Sequence, residues 1–124
     1  MSRVLTEAPR AGAFLVWEVH PDFCRETVTV AAGQTLAAGE IVQKAAGDTV
    51  IAADGVLDEQ GALVTPVAGI VVTAVDASDG ARPGVLIARG PALVDGADLI
   101  FPPETNGQRA AVLASLATLG LRVL

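Results

Sequence analysis

Polar and apolar positions alternate most regularly at Thr27-Val28-Thr29-Val30, which predicts a strand with one face in a core and the other in water. A second β-prone run opens at Ile41-Val42. Between them, Ala31-Ala32-Gly33 and Ala37-Ala38-Gly39 form two look-alike turns, each ending in the residue that enters left-handed backbone space without a steric penalty; Leu36 is the apolar anchor between them. The rest of the chain is organised around this twice-turned stretch, residues 27–44. Upstream, residues 14–19 (FLVWEV) hold the only tryptophan in a strand-like patch that is either the first core strand or a docking surface. His20-Pro21-Asp22-Phe23 reads as a turn, because proline drives the residue before it out of the helical region.

Downstream, Ala45-Ala46-Gly47 turns again, residues 49–52 form a short strand, and Ala53-Asp54-Gly55 is a hairpin signal. An acidic loop at 58–61 leads to a strand stub at 62–66. Residues 69–75 (GIVVTAV) are apolar without alternation, as in a strand covered on both faces. A long loop over 76–84 precedes a buried strand at 85–88; Leu93-Val94 and residues 99–101 then flank Asp95-Gly96 and stop at Pro102-Pro103. Helical spacing occurs once, over 107–119, where Val112, Leu113, Leu116 and Leu119 share a face, Thr105 or Asn106 is the N-cap and Gly120 the stop. Residues 121–124 read as a terminal strand. The small-residue turns recur irregularly, which favours a meander of short strands over a solenoid. The expectation is one mainly β domain over 14–124, preceded by an extended arm, residues 1–13, that has neither periodicity.

Composition narrows this picture. A 124-residue chain holds one core. With 52% hydrophobic residues but only 3% aromatic, that core is aliphatic, and the surplus of apolar surface points to subunit contacts. No run approaches the ~20 consecutive apolar residues of a membrane helix. A net charge of −6 with Lys44 as the only lysine argues against nucleic acid. Charges and Pro9 interrupt the start of the chain where a secretory signal would run, so synthesis in the cytoplasm is expected.

Candidate chemistry is sparse. His20 and Cys24 are the only residues of their kinds, too few for a metal set or a nucleophile held by an oriented base. They read as a turn histidine and a partly buried thiol. Asp54, Asp58 and Glu59 lack the alternating spacing of a calcium loop. Asp76 and Ser78 suit turn capping, and Arg89, at a strand end, suits a carboxylate or carbonyl partner. No cofactor, metal or catalytic residue is assigned.

Taken in order, FLVWE (14–18), Arg25-Glu26, VTVAAGQTLAAGEIV (28–42), Gly69-Ile70, VLIARG (85–90), ALVDGADLIFP (92–102) and a helix followed by GLRV (120–123) resemble the lambda-type bacteriophage head decoration proteins, the protein D family. Cys24 and Trp17 stand where that pattern leads one to expect serine. The resemblance implies a small β-clip-like fold with a short helix, assembled as a homotrimer. It further implies a place on the outer surface of the expanded head, at three-fold and quasi-three-fold positions, resisting internal DNA pressure. The arm would add to strands of the major capsid protein. By position, the implied capsid contacts are Arg3, Val4, Leu5, Thr6, Glu7, Phe14, Leu15 and Trp17. Two other readings stand beside it: a biotinyl- or lipoyl-like carrier domain, for which Lys44 would be the modified lysine, and a small enzyme on a β scaffold, for which Asp76 and Asp79 would be the acid-base pair.

Overall fold

The alternating stretch and the continuous apolar stretch become opposite walls of one barrel. In the computed structural model, which describes residues 12–124, strands β2 (Arg25–Val30), β4 (Ile41–Ala45), β5 (Thr49–Ala52), β6 (Val67–Val71) and β8 (Arg82–Ile87) close in the order β2-β5-β4-β6-β8. A second sheet places β9 (Ala92–Val94) between β1 (Leu15–Glu18) and β10 (Leu121–Val123), antiparallel to β1 and parallel to β10. A two-stranded ribbon pairs β3 (Thr35–Leu36) with β7 (Val75–Asp76). Two helices complete the domain, the single turn α1 (Pro21–Cys24) and α2 (Gln108–Thr118). Over the described residues the molecule is thus mainly β, one small domain of ten short strands with a C-terminal helix.

The described residues form two apolar clusters. Val30, Leu36, Val42, Val50, Val71 and Leu86 fill the barrel. Phe14, Ile41, Ile70, Ile87, Val94, Leu116 and Leu121 fill the space between the barrel, the second sheet and α2. Successive side chains of a strand point to opposite faces, so the pairs Ile41/Val42, Ile70/Val71 and Leu86/Ile87 each send one residue to either cluster. This is why β6 carries no polar alternation. β2 has no layer outside it: Thr27 and Thr29 are exposed while Val30 is buried.

Several expectations are corrected. The strands do not form a meander: β2 lies parallel to β5, through Thr29↔Thr49 and Val30↔Val50, and antiparallel to β8 along six residues. Closure removes the unpaired edges that an open meander of this size would expose. Ala53-Asp54-Gly55 is not a hairpin. Asp54 accepts from the Gln43 side chain (3.1 Å) and from the Val56 N–H (3.0 Å), steering the chain away from the barrel. The hairpin lies earlier, where Ala46–Asp48 joins β4 to β5 with Gly47 at φ 70°. The stub at 62–66 retains a single bridge, Leu63 to Leu57. Residues 69–75 are divided between β6 and β7, and the long loop is cut short because β8 already begins at Arg82.

The turn at His20 is instead a helical turn. His20 Nδ1 accepts from the Asp22 N–H at 3.2 Å, as an N-cap. At the start of α2 the N-cap is Gly107 rather than Thr105 or Asn106. Side chains tie this end together: Glu104 accepts from the N–H groups of Gly107 (2.7 Å) and of Arg109 in the first turn (3.1 Å), and Gln108 folds back to accept from those of Thr105 and Asn106 just before the helix.

Candidate functional site

Of the residues singled out as contacts, Arg3, Val4, Leu5, Thr6 and Glu7 lie outside the described residues. At the start of the described residues, Gly12 donates to the Val72 carbonyl at 2.8 Å, and the Phe14 carbonyl accepts from Asp95 N–H at 2.7 Å. Phe14 itself is only 1% exposed and packs in the cluster under the second sheet. The ring thus turns inward and leaves little of Phe14 on the surface.

From Phe14 the chain enters β1, at the edge of the second sheet. Leu15 pairs with Val94 and is half-buried; a register shift between Leu15 and Trp17 leaves Val16 as an extra residue, 55% exposed. Such irregularities at sheet edges re-aim side chains. Beyond it Trp17 stands opposite Leu93, which stands opposite Arg122. Residues paired across strands share a face, so Trp17, Leu93 and Arg122 form a row on the outer side of the sheet, with Trp17 half exposed. The patch at 14–19 is thus both core strand and surface. Leu124 lies at the same end, donating to the Val94 carbonyl (2.8 Å) and accepting from Gly96 N–H (3.2 Å).

Several titratable groups are committed to local structure. Glu18 holds Arg25 through two contacts, 2.8 and 3.3 Å, and Arg89 joins Glu26 (3.0 Å) and the Phe23 carbonyl, its guanidinium 5.6 Å from the Phe23 ring centroid. Asp58 accepts from the N–H groups of Gln60 and Ala62. Asp76 accepts from the Ser78 N–H at 3.0 Å; hydrogen bonds from the Ser78 side chain and then its backbone hold the carboxyl below the usual value of 3.8. Cys24 is fully buried, its Sγ 3.9 Å from the Pro91 carbonyl oxygen. Lys44 is exposed within β4, opposite Val50, and not at the tip of a turn. Among the described residues no group of three His, Cys, Asp or Glu side chains could hold a metal ion, and no helix is long and apolar enough to cross a membrane.

What this geometry presents is an edge strand, beginning shortly after residue 12 and carrying exposed apolar residues. A family model described as bacteriophage lambda head decoration protein D matches residues 4–121. The chain belongs to that family. The match covers nearly the whole chain, and it includes positions 4–7 of the arm. No individual curated protein matches significantly. As a member of the head decoration family the protein is a structural component of the phage head, and its binding partner is the capsid.

Phe23 is a further exposed aromatic residue. Read in the sequence as part of a turn, it is 54% exposed on α1. The available signal was its place two residues after Pro21, at the first helical turn, where nothing apolar follows at helical spacing to pack beside it.

Proposed function

We propose that the protein is a cementing subunit: a homotrimer on the outer surface of the expanded head, at three-fold and quasi-three-fold positions, that stabilises the shell against the pressure of packaged DNA. The observation that carries this reading is the family match over residues 4–121, which takes in the arm as well as the folded domain. In this reading residues 3–7 add as a strand to the major capsid protein, with main-chain hydrogen bonds supplying affinity and alternate side chains specificity. Leu15 and Trp17, on the edge strand into which the arm leads, supply the adjoining contact. Phe14 serves it indirectly, by fixing where the arm leaves the domain.

Fixing each arm residue costs about 1–2 kcal/mol of conformational entropy, so a single arm binds weakly. Three arms on one trimer act through effective concentration, and their combined hold exceeds any one of them by orders of magnitude. The protein works without catalysis, cofactor, nucleic acid or membrane; it is made in the host cytoplasm and resides on the virion.

The test is co-sedimentation with expanded, undecorated shells of the parent phage, comparing the full chain with one lacking residues 1–11, which keeps the Gly12 anchor. Saturable binding that the truncation abolishes is the expected result. Binding unaffected by truncation removes the arm from the contact, and absence of binding by the full chain overturns the reading.

A further inference from the structure

Asn106 is the only asparagine of the chain, and a glycine follows it. Both are exposed in the loop that leads into α2. A carboxamide one methylene from the backbone lies within ring-closing reach of the next residue's nitrogen, and this makes asparagine one of the thermolabile residues. Glycine in the next position lowers the steric resistance to closure, because it has no Cβ and takes backbone conformations closed to other residues. Gly107 stands at φ 94°, and a Cβ built there would meet nothing within 4 Å, so no neighbour packs over the bond on that side. The Asn106 backbone N–H is held by Gln108 at 2.6 Å, but among the described residues its side chain has no hydrogen-bond partner. The three Asp-Gly pairs, at Asp54, Asp79 and Asp95, have the same shape and a different chemistry, since an ionised carboxylate resists the attack that a neutral amide accepts. Asp54 and Asp95 are also engaged by the N–H groups of Val56 and Ala97, and Gly80 and Gly96 donate their own N–H groups to the Ala77 and Leu124 carbonyls.

We propose that Asn106-Gly107 is a site of self-modification, at which the chain converts its own asparagine to aspartate and isoaspartate, and that Glu104 restrains the conversion. The Gly107 nitrogen loses its proton to hydroxide and attacks Cγ of Asn106. The new N–C bond closes a succinimide ring as the Cγ–Nδ2 bond breaks, and Nδ2 leaves as ammonia after taking a proton from water, which restores the hydroxide. Water then opens the ring at either carbonyl. Breaking the new bond to Cγ gives aspartate; breaking the original main-chain bond gives isoaspartate. Glu104 opposes the first step, because its carboxylate accepts from the Gly107 N–H at 2.7 Å and that charge-assisted bond must open before the proton departs. Its negative charge also disfavours an anion on the same nitrogen. The ties from Glu104 to the Arg109 N–H and from Gln108 to the Thr105 N–H both span the modified bond. An isoaspartate lengthens the main chain by one carbon inside that span and loosens the first turn of α2, and either product adds a carboxylate two residues from Glu104. A structural component of a phage head is not renewed after assembly, so the change accumulates with the age of the particle.

The experiment incubates the full chain for several weeks under mildly alkaline conditions, beside Asn106→Ser, Gly107→Ala and Glu104→Ala. Mass spectrometry follows the intact chain and the peptide that carries residues 106 and 107, and enzymatic methylation of isoaspartyl carboxyls counts the second product. All three positions are exposed, and circular dichroism checks that each variant folds. The wild type is expected to gain, with first-order kinetics, the mass difference between a hydroxyl and an amino group. The gain is confined to that peptide, yields both products and accelerates with hydroxide concentration. Asn106→Ser abolishes it, Gly107→Ala slows it several-fold and Glu104→Ala speeds it several-fold. In urea, where the hydrogen bond from Gly107 to Glu104 is lost, wild type and Glu104→Ala converge on one rate. A wild type of unchanged mass overturns the proposal, as does a gain that persists in Asn106→Ser or one that yields aspartate without isoaspartate. A folded Glu104→Ala that converts no faster than wild type overturns the restraint. Should Gly107→Ala fail to fold, the wild-type time course and Asn106→Ser still decide the site.

Discussion

β2 and β6 belong to the same barrel and are built on opposite rules. β2 faces water on its outer side and alternates Thr with Val; β6 is covered on both sides and places Ile70 and Val71, each essentially inaccessible, into different clusters. Alternation therefore marks a wall with one partner layer, and its loss marks a wall with two. The one-layer wall can absorb change toward solvent. In the two-layer wall any change in volume is felt by the barrel interior or by the sheet and helix behind it.

The largest effect expected from this contrast is at Ile70. Ile70→Ala should cost about 3–4 kcal/mol, within the range for large-to-small core changes, whereas Val28→Ala, on a half-buried position of β2, should cost about 1 kcal/mol. Urea midpoints at constant slope measure both, and equal losses would break the comparison. Next come the two turns on either side of β3, between β2 and β4. Gly33 and Gly39 have nearly the same backbone, φ 91° and 90°, but a Cβ at Gly33 meets nothing, while one at Gly39 runs into the Asp98 carbonyl. Gly33→Ala should lose about 1 kcal/mol for its left-handed backbone and Gly39→Ala about 3 kcal/mol, the excess being the clash. Thermal unfolding of the pair checks this.

The ion pairs sharpen the comparison at smaller scale. Arg25–Glu18 is shielded, Glu18 having 9% of its side chain exposed, and bonds twice; Arg89–Glu26 is exposed at both ends. Arg25→Ala is expected to cost about 1–2 kcal/mol and Arg89→Ala at most about 0.5 kcal/mol in monomer stability, with the difference surviving in 0.5 M salt. Smallest is Asp76. Its folded-state pKa lies below its ordinary value, so it adds stability above that value and loses it as pH falls through the folded-state pKa. Asp76→Asn should therefore unfold slightly earlier than wild type at pH 7 and converge with it once the pH has fallen below the folded-state pKa. Urea midpoints across that range measure it, and a constant gap at every pH would assign the effect to something other than the charge.

Residues that local physics constrains were readable in the sequence. Periodicity located β2 and α2, the continuous apolar run at 69–75 announced the doubly covered β6, and the ordered motifs pointed to a family that the match over residues 4–121 establishes. Thr49–Ala52 was found to the residue, because turns on both sides bound it. Long-range pairing was not readable. Nothing in TVTV says that Val30 will lie beside Val50 rather than at a free edge, since strand order depends on closing a barrel and sealing its interior. Nor could the sequence separate Phe14 from Phe23: both are aromatic residues beside short elements, yet one fills a layer that α2 and β9 complete and the other finds no layer above it. Local pattern tells which side chains need burial; only the assembled layers determine which of them obtain it, because burial is a property of what arrives from distant parts of the chain.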